Sequence, residues 1–217
     1  MSRYKVLLFD LDGTLMDTAP GIFSTVRYTL AKLGVEEPPQ LKKFLGPPLL
    51  RSMMDYCGLD EERAWQAVRI YREKYPKDDL YNSEKFDGVE ELLAGLKAEG
   101  YTLGVATSKP EPFARSLLKR FGLDKYFDYI GGSGVDGTRD NKKLVIEYVL
   151  ENLGQPDRSK VLMIGDREHD IIGAGQCGID GLYALWGYGS AEEAAECGAA
   201  FTAATPEECG RHIAAAE

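Results

Sequence analysis

From residue 89 onward the chain alternates short apolar runs of strand length with stretches of helical spacing, and this alternation narrows its possible folds more than any other feature. Apolar runs at 101–106, 129–132, 161–164 and 181–185 are too short for independent helices. Between them lie helical stretches: one around Val89, Leu92, Leu93 and Leu96 stopped by Gly100, then 111–121 before Gly122, 142–153 before Gly154, 171–177 and 206–215. A further apolar run at 6–9 opens the chain. Strands that are apolar on both faces and separated by helices bury themselves as a parallel sheet covered on both sides. The fold class is therefore α/β, with a doubly wound parallel sheet.

One block breaks the pattern. A helix starts near Pro20, carries Ile22, Val26 and Leu30 on one face, and stops at Gly34. Two more helices follow at 48–56, closed by Gly58, and at 60–75, closed by Pro76, with no strand signal among them. We therefore expect a Rossmann-like core from residues 1–17 and 83–217, and a smaller all-helical cap from 18–82. An insert directly after the first strand sits over the carboxyl ends of the strands, where open α/β sheets bind ligands. Its hinges should lie near 17–20 and 82–86.

Composition removes several functional classes. At 217 residues, 44% hydrophobic and 28% charged, the chain is ordinary for a globular protein with a substantial core. No apolar stretch is long enough for a membrane span, so no membrane partner is expected. The short opening run ends on Asp10 and does not read as a signal peptide. A net charge of −9 repels a phosphate backbone, so a nucleic-acid polymer is not an expected partner. Cys57, Cys177, Cys197 and Cys209 show no Cys-x-x-Cys pairing, so reduced thiols and a cytoplasmic location are expected.

The chemistry concentrates where strands end. The run Val6-Leu7-Leu8-Phe9 leads into Asp10-Leu11-Asp12-Gly13-Thr14. Residues i and i+2 of an extended chain point the same way, so the two carboxylates should leave the strand end together. Adjacent anions call for a divalent cation, and a carboxylate beside one can act as nucleophile while its neighbour carries a proton. Later strand ends carry Thr107-Ser108-Lys109 and Gly165-Asp166-Arg167-Glu168-His169-Asp170, and Lys142 opens the helix between them. Lys109, Arg139 and Lys143 add positive potential near the predicted phosphate position, with solvated loop charges as their default reading.

That order of motifs resembles the haloacid dehalogenase superfamily over essentially the whole chain, helical cap included. The resemblance implies a Mg²⁺-dependent phosphomonoester hydrolase. Asp10 would become an aspartyl phosphate. Asp12 would protonate the leaving alkoxide and later deprotonate water. Thr107 and Ser108, the backbone N–H groups of Leu11 and Asp12, and Lys142 would hold the phosphoryl group. Mg²⁺ would be bound by Asp10, the Asp12 carbonyl and Asp166, with Asp170 reaching the metal through water or steadying Lys142. Asp12 also favours phosphate esters over halide displacement or phosphonate cleavage, because relatives with those activities lack an aspartate there.

For the substrate, Gly46, Pro47 and Arg51 in the stretch 44–51 look like the cap loop that faces the site in such relatives. The finer pattern, with Gly46-Pro47-Pro48, 106–114, 136–139 and 165–170, resembles a 5′-nucleotidase-like subgroup close to phosphoglycolate phosphatases. The expected partner is thus a small phosphate ester, with a nucleoside 5′-monophosphate first and phosphoglycolate or a mutase's sugar phosphate as alternatives. A response-regulator-like protein, phosphorylated but not turning over substrate, is the rival from another class. It would carry its phospho-acceptor on a later strand and have no insert after the first. Oligomeric state is left open by the sequence.

Overall fold

The computed structural model describes residues 2–216. Six parallel strands form the sheet in the order β5-β4-β1-β6-β7-β8: β1 Val6–Phe9, β4 Thr102–Pro110, β5 Tyr129–Ser133, β6 Val161–Gly165, β7 Asp180–Ala184 and β8 Phe201–Ala203. β1 pairs with β4 on one side and β6 on the other, so the direction of strand progression reverses beside it. Such a switch point opens a crevice at the strands' carboxyl ends, and Asp10 stands there. Leu7, Leu8 and Phe9 are buried on both sheet faces, each contributing roughly 1.5–3 kcal/mol. This explains the unbroken apolar run.

The helices α4 Val89–Ala98, α5 Glu111–Arg120, α6 Lys142–Asn152, α7 Glu168–Gln176, α8 Ala191–Glu196 and α9 Pro206–Ala215 complete the core. Of these core strands and helices, β8 and α8 escaped the sequence reading. β8 is three residues long, and α8 is a six-residue, alanine- and glutamate-rich turn capped by Ser190, so neither has enough periodicity to stand out.

The helical block is α1 Ala19–Leu33, α2 Leu49–Cys57 and α3 Glu61–Lys74. Gly34 and Gly58 end α1 and α2 in the left-handed conformation, at φ 63° each. Pro76 does not end the third helix. The chain widens into a π turn at Tyr75–Asp79, closed by a 2.7 Å bond from the Leu80 N–H to the Tyr75 carbonyl. The wider turn accommodates a proline, which has no N–H to donate. Where the chain passes between block and core, β2 Met16–Asp17 and β3 Glu84–Lys85 pair antiparallel as a two-strand ladder. The four cysteines are unpaired, and no helix among the described residues is long and apolar enough to cross a membrane.

Candidate active site

Three strand ends and one helix start build the site. Asp10 follows β1, Thr107 and Lys109 lie at the end of β4, Asp166 follows β6, and Lys142 opens α6 under an Asn141 cap. The Lys142 ammonium donates to Asp10 Oδ1 at 2.7 Å and to the Ala106 carbonyl at 2.9 Å, and lies 2.6 Å from Asp170 Oδ1 in ionic contact without hydrogen-bond directionality. A long cation reaches this depth because α7 places Gly173 against its stem; a Cβ there would stand 2.8 Å from Lys142 Cγ. Asp170 sits in the first turn of α7, where its other oxygen accepts the Arg167 N–H at 3.1 Å. Asp166 is fixed by the Thr14 hydroxyl at 3.0 Å and the Tyr188 N–H at 2.8 Å. Gly13, at φ +91°, lets the chain pass this close: a Cβ would meet Asp166 Oδ2 at 2.1 Å.

Asp10, Asp166 and Asp170 are all buried, and each offers an oxygen within 4.8 Å of the others'. Three carboxylates thus face one ammonium. Burial, opposed by Lys142 and reinforced by Asp170 and Asp12, pushes the Asp10 carboxyl up to about 6. Burial, then Asp170 and Asp10, raise Asp166 well above the carboxylate range. Burial alone would lower Lys142, but Asp10 and Asp170 outweigh it and hold the ammonium charged. A cluster this short of positive charge, with only hard oxygen donors, fits a divalent cation of the Mg²⁺ type.

Asp12 behaves differently from the expectation for two carboxylates leaving side by side. The chain abandons extended geometry after Phe9 and folds into a turn, with the Leu15 and Met16 N–H groups both bonded to the Leu11 carbonyl at 3.0 Å. Asp12 therefore turns from the cluster and accepts the Thr18 hydroxyl at 2.7 Å and the Lys109 ammonium at 2.8 and 3.0 Å. Lys109 is no solvated loop charge. Its side chain is 4% exposed, and a register shift in β4 between Thr107 and Pro110 re-aims it inward. The Thr107 hydroxyl is buried beside it and accepts the Lys109 N–H at 3.1 Å. The N–H groups of Leu11 and Asp12 donate to no protein acceptor among the described residues, which leaves them available for an anion.

The family model "Haloacid dehalogenase-like hydrolase" matches residues 7–184, more than three quarters of the chain and every group just described except Tyr188. The chain belongs to this family. A haloacid dehalogenase-like hydrolase with this acid cluster is equipped as a phosphomonoester hydrolase, and the cluster is consistent with an aspartyl-phosphate mechanism. A 5′-nucleotidase from Pseudomonas aeruginosa is 46% identical over 193 residues, covering 88% of this chain and 87% of that protein. Tyrosine-protein kinase PtkA of Mycobacterium tuberculosis is 41% identical over 87% of this chain, which spans 64% of that relative's length. The crystal structure of a predicted phosphatase from Clostridium acetobutylicum matches with TM-score 0.93 at 41% identity, covering 97% and 98% of the two chains.

Within this hydrolase the helical block is seated on the core. Arg167 donates to the Leu45 carbonyl and pairs with Glu193 at 3.0 Å, Arg72 donates to the Val135 carbonyl at 2.7 Å, and the Tyr81 and Ser116 hydroxyls meet at 2.7 Å. Gly46 packs on Arg167, one residue from Asp166, and Pro47 follows it. Arg51 is not brought to the site. Its side chain is 80% exposed and pairs with Asp55 at 3.5 Å along α2. Arg139 bonds the Gly132 carbonyl and stacks on Tyr148 at 4.0 Å, so its charge serves the loop. Ser108 contributes its carbonyl to the Ser133 hydroxyl at 2.8 Å. Trp186 and Tyr188 belong to the site's frame: Trp186 donates to the Thr14 carbonyl at 3.0 Å, and the Tyr188 hydroxyl accepts the Thr18 N–H at 2.7 Å and donates to Asp17 at 2.9 Å. Nothing in the local sequence marks these two aromatics, because their partners lie about 170 residues away.

Proposed function

We propose that this protein is a Mg²⁺-dependent phosphatase of small phosphorylated metabolites, with nucleoside 5′-monophosphates as its principal substrates and residues 18–82 as a cap that opens and closes over the site. The observation that carries the reaction is the buried Asp10–Lys142–Asp170 arrangement beside Asp166, with Asp12 held apart from it on Lys109. The 46% identity to a protein named 5′-nucleotidase supports the choice of substrate.

In this reading Asp10 attacks phosphorus, forming a carboxyl–phosphate bond while the ester P–O bond breaks. Asp12 gives a proton to the departing alkoxide. Water then attacks the aspartyl phosphate, Asp12 takes the water's proton, and phosphate leaves as the Asp10 carboxylate is restored. Lys142 keeps Asp10 aimed and offsets charge on the phosphoryl oxygens, which Thr107 and the Leu11 and Asp12 N–H groups also hold. Asp10, Asp166 and the Asp12 carbonyl would hold Mg²⁺, with Asp170 steadying Lys142. The cation's contribution is to let an anionic nucleophile approach an anionic ester.

Steady-state turnover of nucleoside 5′-monophosphates, phosphoglycolate and sugar phosphates tests this reading. The expected result is the highest kcat/KM on a nucleotide, with activity lost in EDTA and restored by Mg²⁺. A tenfold preference for phosphoglycolate would transfer the assignment to that alternative, and full activity after exhaustive chelation would reject the metal site.

A further inference from the structure

The π turn at Tyr75–Asp79 places an unusual side chain at the seam between block and core. Tyr75 is buried at 1% exposure, yet its hydroxyl has no hydrogen-bond partner among the described residues. A buried hydroxyl without a partner loses its water and gains nothing in exchange, so native structures rarely retain one without a use. Packing accounts for the ring. It stacks on Tyr71, with centroids 5.0 Å apart, and meets Phe113 edge-on at 6.1 Å. Packing does not account for the oxygen.

The location supplies the reason. The Lys109 ammonium lies 4.9 Å from the centre of the Tyr75 ring, and the same ammonium holds Asp12 at 2.8 Å. The charges of Asp12 and Asp79 both reach the Tyr75 hydroxyl, and those of Lys109 and Asp12 reach Tyr71. Asp79 is itself occupied, accepting the Thr25 hydroxyl at 2.7 Å and pairing with Lys74 at 3.2 Å. Asp12 is the group assigned to protonate the leaving oxygen. A donor left open on the same side of Lys109's surroundings is closer in role to the leaving group than to the transferring phosphoryl group. π turns are short departures from helical geometry that often occur at functional sites. Here the departure begins at Tyr75, and Asp79 at its other end is anchored by Thr25 and Lys74.

We propose that Tyr75 is a specificity-determining residue whose hydroxyl donates to an oxygen of a polyol leaving group, such as a ribose hydroxyl or ring oxygen. The proposal rests on the phosphatase reading above, and deepens it by naming what the block recognises. A ribosyl or other polyol phosphate satisfies the open donor. A phenyl ester, with no oxygen beyond the ester bond, leaves it open. This site therefore discriminates by hydrogen bonding and not by volume, the stronger of the two modes in a desolvated pocket.

Tyr75→Phe removes only the hydroxyl and keeps the ring packing. The test compares the wild type and this variant on ribose 5-phosphate and on phenyl phosphate with Mg²⁺, and measures the melting temperature of each protein. The expected result is a fall of about 3- to 10-fold in the ratio of kcat/KM for ribose 5-phosphate to that for phenyl phosphate, carried mainly by KM. The melting temperature should hold or rise, because an unpartnered buried hydroxyl is removed. An unchanged ratio, a loss shared equally by both esters, or a lowered melting temperature would each overturn the proposal; so would a wild type with no preference for ribose 5-phosphate over phenyl phosphate. Poor turnover of nucleotides alongside a normal Tyr75 effect on ribose 5-phosphate would refute the nucleotide assignment and leave Tyr75 standing.

Discussion

Two lysine–aspartate pairs lie side by side in this protein, and they are built in different ways. Lys142 and Asp10 are held entirely by the core: α6 supplies the lysine, β1 the aspartate, and Asp170 and the Ala106 carbonyl complete the ring. Lys109 and Asp12 share their surroundings with the helical block, since Thr18 at the start of α1 bonds Asp12 and Tyr75 covers Lys109. The first pair should stay intact whether the block is seated or lifted. The second is complete only when the block is down. On the proposed mechanism the nucleophile would be kept ready at all times, and the environment of the proton carrier would be assembled as the block closes over substrate.

The sharpest way to break that comparison is to disable each aspartate in turn. Asp10→Asn should remove both turnover and aspartyl-phosphate formation, a loss of about 10⁴-fold or more, on every ester. Asp12→Asn should cost about 10²–10⁴-fold on alkyl phosphates, whose leaving oxygen needs a proton, and much less in single-turnover phosphoryl transfer from p-nitrophenyl phosphate. Equal single-turnover losses on both ester types would show that Asp12 does not act through the leaving group.

A smaller effect is expected from the cluster's charge. In the metal-free protein burial pushes the Asp10 carboxyl up to about 6, above the usual carboxylate range, and raises Asp166 as well. A carboxyl raised in the folded state contributes stability that is full below the unfolded value and is lost as pH rises through the folded one. Metal-free protein should therefore lose stability between about pH 4 and pH 6, by roughly 1–3 kcal/mol from Asp10, or several degrees. Mg²⁺ bound at the cluster would relieve that repulsion and compete with protons for the same oxygens, so it should raise the melting temperature clearly at pH 7.5 and little at pH 5. Thermal unfolding in Mg²⁺ and in EDTA, at matched ionic strength, measures this. An equal Mg²⁺ effect at the two pH values would place cation binding elsewhere.

The same contrast explains what the sequence disclosed. Asp10, Thr107, Lys142, Asp166 and Asp170 could be read because each follows a strand end or opens a helix, and strand ends in an alternating α/β chain are visible as apolar runs. The parallel sheet was legible for the same reason. Lys109 was not, because a shift of register within β4 decides whether it faces solvent or Asp12, and no local pattern announces a bulge. Pro76 suggested a helix stop where the chain instead widened its turn and carried Tyr75 to the seam. Trp186 and Tyr188 bond to residues near the opposite end of the chain, a distance that periodicity cannot span.

The smallest expected effect concerns Arg51, where the sequence and the structure part most plainly. A cationic side chain in a loop facing the site would bind a substrate anion, and its loss would reorder substrate preference. The structure instead shows an 80% exposed side chain in an i,i+4 pair with Asp55, an interaction worth about 0.3–0.5 kcal/mol at most. Arg51→Ala should therefore change stability by less than about 0.5 kcal/mol and leave the ranking of nucleotide, glycolate and sugar phosphates in place. Arg167→Ala is the informative companion, because Arg167 ties the Leu45 carbonyl to Glu193 next to Asp166 and packs on Gly46. Losing it should loosen the seat of the block and raise KM across all three substrates without reordering them. A reordered ranking in Arg51→Ala, measured as kcat/KM on the three esters, would mean that α2 turns toward the site when substrate is bound. The division between a preassembled nucleophile and a block-dependent proton carrier would then extend to the choice of substrate as well.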